Sequence, residues 1–256
     1  MMRTPWVVSA LALAALLPAI PSARADSPPP APDAAAKANA ALAELDAAVK
    51  TKDDAAVTSA VKKLPALFKD STDAAIRGKI AKELGDLVKQ TKLPSSRSEA
   101  LKALVETGDG VNAWKGLAAA YPSDDVEDKD NFNAEIVKAV GDLHPEAAID
   151  KLITTFQKAK QAELSAAAAL ALGGYHKSKR REAILEELVK TGKNMMPSKS
   201  KTGPNPSEEA RKRWGIVGQG IGKGLDNLTG ATVGDPSEWF KKYDEAKKNI
   251  KVLFKD

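Results

Sequence analysis

Apolar side chains recur at three- and four-residue spacing from Ala34 almost to the C-terminus, with turn-forming residues at the breaks. Residues 34–50 carry Leu42, Leu45 and Val49 on one stripe. Asp53 or Asp54 can cap a second helix with Val57, Val61 and Leu64 on one face, stopped by Pro65. Ser71-Thr72-Asp73 opens another, with Ile76, Ile80, Leu84 and Leu87 in register. Further starts follow Ser95-Ser96, lie near Gly110, follow Asp130, stand at Pro145, near Gln161 and around Lys179, and follow Pro206-Ser207. The last helix runs from Asp235-Pro236 towards the C-terminus. No run of β-branched and aromatic residues alternates with period two, so the pattern predicts an all-α protein without β-sheet.

One apolar stretch does not belong to this pattern. Arg3 gives a short positive start, Trp6 to Ile20 is apolar, and Pro21-Ser22-Ala23-Arg24-Ala25 ends in an Ala-x-Ala cleavage pattern. The stretch spans about 15 residues where a membrane helix needs roughly 20. Residues 1–25 therefore read as a signal peptide cut between Ala25 and Asp26. The absence of twin arginines favours the general secretory route. With no cysteine in the chain, no lipid can be attached at the cleavage site. The following 26–33 segment, with Ser27-Pro28-Pro29-Pro30-Ala31-Pro32, is an extended Pro-rich linker, and 34–256 is the helical domain.

Within that domain the helices repeat. Ile80-Ala81-Lys82-Glu83-Leu84-Gly85-Asp86-Leu87 is echoed by Ile136-Val137-Lys138-Ala139-Val140-Gly141-Asp142-Leu143, and again by Ala171-Leu172-Gly173-Gly174-Tyr175. Each copy ends in glycine, the residue suited to a left-handed helix cap. After the last two copies comes a second amphipathic helix, Pro145 to Ala159 and then Arg181 to Lys190. A single such pair cannot cover its own apolar faces, so neighbours must stack.

On these residues the chain resembles secreted bacterial HEAT-repeat proteins. The clearest repeats are 132–192, with a more degenerate one at 71–121 and the first helix of another at 207–228. The run Leu225-Asp226-Asn227-Leu228-Thr229-Gly230, followed by Asp235-Pro236-Ser237-Glu238-Trp239-Phe240, is similar to the segment that closes such solenoids. The resemblance implies a right-handed α-solenoid of HEAT-like helix pairs with a C-terminal cap over 225–254. It also implies protein-protein scaffolding rather than a particular chemistry. Residues 34–69 and the 193–206 loop depart from the pattern.

Composition agrees with close helix packing. Aromatics make up 5% of the chain and alanine is abundant, so the core is expected to be Ala, Leu, Val and Ile. Of the formal net charge of +5, Arg3 and Arg24 supply two, and the remaining +3 is local in origin. Residues 26–175 hold 19 basic and 23 acidic side chains, 176–213 hold 11 and 5, and 214–256 hold 7 and 6. Asp124-Asp125-Val126-Glu127-Asp128-Lys129-Asp130 is an acidic loop. Such a distribution argues against nucleic-acid binding.

Catalytic patterns are missing. His144 and His176 each sit in a turn after a repeat glycine, without an H-E-x-x-H motif, and read as exposed turn residues; no metal or cofactor is expected. No G-x-S-x-G elbow occurs. The glycine-rich run Gly215 to Gly224 has Lys223 and Val217 where phosphate-loop patterns need glycine, so it reads as a closely packed or kinked helix. Two features stand out as candidate sites. Trp239, Phe240 and Tyr243 share a helix face and read as a structural cap. Lys177, Lys179, Arg180 and Arg181, then Lys199 and Lys201, then Arg211, Lys212 and Arg213 form a basic stretch that a solenoid could gather onto one face. The resulting expectation is an exported, non-catalytic module that binds or scaffolds a protein partner. The alternatives are an envelope protein that binds an anionic polymer through 177–213, or an enzyme of unrecognised type.

Export should leave a soluble periplasmic or secreted protein that begins at Asp26. The intact mass of the exported protein checks this, and a retained leader would overturn it.

Overall fold

The computed structural model describes residues 32–122, 131–197 and 206–255. The leader, the cleavage site at Ala25 and Asp26, the linker before Pro32, the acidic run 124–130, and Lys199 and Lys201 lie outside the described residues.

Among the described residues the chain forms twelve α-helices and no strand. They are α1 (Pro32–Thr51), α2 (Asp54–Val61), α3 (Leu64–Asp70), α4 (Ala74–Val88), α5 (Pro94–Thr107) and α6 (Gly110–Leu117). Then come α7 (Phe132–Leu143), α8 (Ile149–Lys158), α9 (Ala162–Gly173), α10 (Arg181–Met195), α11 (Glu208–Thr229) and α12 (Pro236–Ala246). Short 3₁₀ turns at Glu146–Ala148 and Ile250–Leu253 precede α8 and follow α12.

Local chemistry sets five of the twelve helix starts among the described residues. The carboxylates of Asp53, Asp73, Asp109 and Asp235 and the hydroxyl of Ser207 accept first-turn N–H groups of α2, α4, α6, α12 and α11 respectively. Helix α5 has no such residue before it, and Asp54 of α2 supplies the acceptor instead. Its carboxylate receives the backbone N–H of Ser95 at 3.1 Å and of Ser96 at 2.9 Å, and the Ser96 hydroxyl as well. The Ser96 hydroxyl, ahead of the opposing effect of burial, holds Asp54 below its ordinary pKa.

Two details differ from the sequence expectation. Pro65 does not stop α2, which ends at Val61; it stands in the first turn of the separate helix α3, where its missing N–H has no partner to lose. The last helix ends at Ala246 rather than continuing, and Lys255 N–H returns to the Thr229 carbonyl at 2.8 Å.

The helices form two rows. In the first, α4, α6, α7, α9 and α11 lie side by side, each touching the next. The second holds α2 and α3 against α5 at one end, and α8, α10 and α12 at the other, with α5 also touching α7. Leu84, Leu104, Ile136, Leu152, Leu188 and Leu225, all fully buried, run through the space between the rows. The arrangement is repeat-like and compatible with a solenoid. Contacts between α7–α8 and α9–α10 recur at one offset. Tyr175 donates to the Pro145 carbonyl, Arg180 pairs with Asp150, and Gln157 donates to Glu187, each 30 residues apart.

The repeat glycines do a different job from the one expected. Gly85, Gly141 and Gly173 lie inside helices, and among the described residues the positive-φ glycines are Gly108, Gly230 and Gly234. After α7 it is His144, at φ 48°, that takes the left-handed position. The glycines instead let helices of the first row approach backbone to backbone. A Cβ on Gly85 would run into Gly116, one on Gly141 into Ala171, one on Gly173 into Gly224, and one on Gly224 into the Ala169 carbonyl.

Gly220 and Gly215, both in α11, separate this effect from helix propensity. A Cβ on Gly220 would sit 2.5 Å from the Ala166 carbonyl oxygen, whereas one on Gly215 meets nothing within 4 Å. Gly220→Ala should cost about 1–3 kcal/mol or more by overpacking. Gly215→Ala should add roughly 0.5–1 kcal/mol through helix propensity and a less flexible unfolded chain. Urea denaturation of both variants is the check; a shift of the same sign in the two would refute the close-approach account.

Candidate binding groove

The C-terminal closing segment is organised by Asp226, a residue not singled out from sequence. Its carboxylate accepts Trp239 Nε1–H at 2.8 Å, Val233 N–H at 2.9 Å and Gly234 N–H at 3.0 Å. Thr229 Oγ1 donates to the Leu225 carbonyl at 2.7 Å, and Gly230 at φ 73° turns the chain out of α11. Asp235 and Pro236 then restart it as α12. Trp239 is 1% exposed and Phe240 is buried, with the Phe240 ring 6.4 Å from that of Trp214. Tyr243 is half-buried, and Lys193 Nζ lies 5.7 Å from its ring centroid. The three aromatic residues thus face α10 and α11 rather than forming an open platform.

The basic residues are not gathered. Lys177, Lys179 and Arg180 lie in the turn between α9 and α10, at the C-terminal end of α9, and Arg181 opens α10. Arg213 reaches the opposite end of α9, where it donates to the Ala159 carbonyl at 2.7 Å and to the Lys160 carbonyl. The twelve residues of α9 hold the two groups roughly 18 Å apart. Several members are also engaged. Arg180 pairs with Asp150 at 2.5 Å, Lys212 with Glu208 at 2.7 Å, and the Arg181 guanidinium lies 4.6 Å from the Phe254 ring centroid. Lys177, Lys179 and Arg211 are exposed.

Both turn histidines are exposed, as the sequence predicts, but their neighbours differ. His176 Nδ1 lies 3.1 Å from the Gly174 carbonyl. The His144 ring stands edge-on to Tyr175 at 5.6 Å. Partial burial, then the charge of His176, push its pKa down against the opposing pull of Asp142. Beneath it, Tyr175 is buried and donates to the Pro145 carbonyl at 3.1 Å, and burial raises its pKa. Ser178 donates to Glu146 at 3.0 Å. These contacts tie two successive turns together. Among the described residues, no three His, Asp or Glu side chains group closely enough to hold a metal ion. No described helix is long and apolar enough to cross a membrane.

A concavity lies where three turns meet, mostly in residues that the sequence pattern did not single out. A groove of about 980 Å³ is lined by the end of α3, the α5–α6 turn with the start of α6, and the turn after α7. Phe68, Trp114 and Leu143 supply apolar lining. Val111 stands at 67% exposure beside them, one of three exposed large apolar side chains among the described residues. Trp114 is held edge-on by Tyr121 at 5.7 Å, and the Tyr121 hydroxyl donates to Thr155 of α8 at 3.1 Å. Lys69, Arg77 and Lys115 add positive charge; Asp109 and Glu146 add negative. Arg77 Nε donates to the Ser71 carbonyl at 2.6 Å, and its guanidinium lies 5.4 Å from the Phe68 ring centroid. Burial works to raise the Asp109 pKa, but hydrogen bonds from the Asn112 backbone and side chain, together with Arg77, bring it below its ordinary value. A sequence clue existed: on α6, Val111 stands away from the buried stripe of Ala113 and Leu117, and Trp114, at i+3 from it, lies at the edge of that stripe.

Compared with protein-family models, with curated proteins and with solved structures, the chain matches none. What the groove does must be argued from its own chemistry.

The closing segment yields its own test. Trp239→Ala should cost about 3–5 kcal/mol, the scale for emptying a buried aromatic site. Asp226→Ala should cost at least about 2 kcal/mol, because three N–H donors lose a charged acceptor. The double variant should lose clearly less than the sum, since both changes break the same Asp226–Trp239 bond. Additive losses in chemical denaturation would show that the aspartate and the indole act separately.

Proposed function

We propose that this protein is an exported, non-catalytic scaffold, a right-handed α-solenoid of HEAT-like helix pairs that binds a protein partner. The observation that carries the reading is the groove, which is open, has an apolar lining and presents an exposed Val111 on a helix otherwise buried on its other face. Its residues come from turns of successive helical units, the part of a repeat protein that can vary while the stack beneath stays fixed. The constant 30-residue offset between α7–α8 and α9–α10 supports HEAT-type pairing, and the Ala-x-Ala leader supports export to the periplasm or beyond. An aromatic side chain and aliphatic neighbours with cations around them suit a polypeptide better than a sugar polymer, which has little apolar surface to bury.

Photo-crosslinking from the two surfaces tests this. A crosslinking amino acid at Val111 should join the mature protein to a discrete protein partner in its own cells, and capture should survive raised salt because apolar contact is screened little. One placed at Lys179 should give no such adduct. Absence of a protein adduct from position 111 would refute the proposal. Binding lost steeply with salt and mapped to the α9–α10 turn would favour the anionic-polymer reading instead.

A further inference from the structure

We infer that the groove recognises an acidic polypeptide segment that carries a bulky apolar side chain. This deepens the proposed protein-binding role and rests on it. The reasoning turns on which charges of the groove are already committed. Asp109 accepts the Asn112 backbone N–H at 3.0 Å and the Asn112 side-chain amide at 2.8 Å, so its carboxylate serves the start of α6. Glu146 accepts the Ser178 hydroxyl at 3.0 Å and so serves the neighbouring turn. Both acids are thus used in building the walls.

The cations are much less engaged. Lys115 lies one helical turn beyond Val111 on α6, is exposed, and has no ion-pair partner among the described residues. Lys69 meets Glu106 at 3.8 Å, but both side chains are more than half exposed, and such a pair contributes little. Arg77 uses Nε on the Ser71 carbonyl and the face of its guanidinium on Phe68, and its charge also acts on Asp109; the first two contacts leave its terminal nitrogens open to a ligand. Three cations with bonding capacity to spare therefore surround an apolar lining of Phe68, Trp114, Leu143 and Val111. A volume of about 980 Å³ is ample for one large side chain with flanking backbone. An apolar residue in the groove, with carboxylates on either side of it, satisfies both parts of the surface. A basic segment would leave the cations opposed, and a purely anionic polymer would leave the aromatic lining unused.

The probes are short synthetic peptides in a fluorescence-anisotropy titration of the mature protein. One carries Leu-Phe among Glu and Asp, a second has those acids replaced by Lys, and a third keeps the acids but replaces Leu-Phe by Ala-Ala. The first should bind about tenfold or more tighter than either of the others, the scale of one lost charge or hot-spot contact. Val111→Asp should abolish that preference, and Lys115→Glu should weaken the acidic peptide while strengthening the lysine peptide. Both positions are exposed, so melting temperatures should not move. Equal binding of acidic and lysine peptides, undiminished binding of the Ala-Ala peptide, or indifference to Val111→Asp would each overturn the inference, as would failure of all three peptides to bind. A lysine peptide that binds as well as the acidic one, and loses that binding in Val111→Asp, would leave the protein-binding proposal standing and remove only the acidic class. Loss of the crosslinked partner as well would bring down both.

Discussion

Everything in this fold depends on how closely the helices of the first row approach one another. At Gly85–Gly116, Gly141–Ala171, Gly173–Gly224 and Gly220–Ala166 there is no room for a methyl group between neighbouring backbones. Close approach of this kind brings many atoms into dispersion contact over a short length, and it allows helices as short as the eight residues of α6 to be held firmly. It also explains a core with few aromatics. Alanine and glycine remove bulk where the helices of this row meet, while Leu, Ile and Val fill the space between the rows. The same seam sets the directions of the helices. Contacts of 166 with 220 and 169 with 224 make α9 and α11 parallel, whereas Gly110 beside the Leu143 carbonyl brings the start of α6 to the end of α7. The groove lies at that second junction.

Much of the architecture was legible in the sequence because helix signals are local. The 3.6-residue stripes and the caps at Asp53, Asp73, Ser207 and Asp235 can be read within one turn of chain, and each marks an observed helix start. What was misread was the purpose of the repeat glycines. Gly85, Gly141 and Gly173 stand near helix ends, where a left-handed cap is the common reason for glycine. The actual reason is a neighbour 30 or more residues away, which no local pattern reveals. Helix α3 was missed for a related reason. Pro65 serves equally well as a stop or as a first-turn residue, and only the packing of Leu64 and Phe68 decides between them.

The surfaces were harder to read than the core. A run of Lys and Arg is conspicuous in one dimension, yet the length of α9 divides 177–181 from 211–213 and carbonyl or carboxylate partners take up part of it. The groove had the opposite history. Its lining comes from α3, α4, the α5–α6 turn and the turn after α7, so its members are scattered over some eighty positions, and only Val111 and Trp114 lie close enough to suggest a shared face. Asp226 was hidden by its ordinariness. An aspartate in a helix reads as solvated charge until the indole of Trp239 and two loop N–H groups are seen to converge on it.

The cap that Asp54 lends to α5 makes one helix's start the property of another. Helices usually carry their own acceptor, so they can fray, shift or be duplicated as self-contained units. Here the first turn of α5 is completed by a carboxylate more than forty positions earlier in the chain, and Thr58 of the same helix lies 3.1 Å from the Ser96 hydroxyl. The N-terminal helices therefore work as a lock on the stack rather than as an ornament at its end. In evolutionary terms, a cut between α2 and α5 would leave a helix with an unfinished start, so these N-terminal helices must be inherited together.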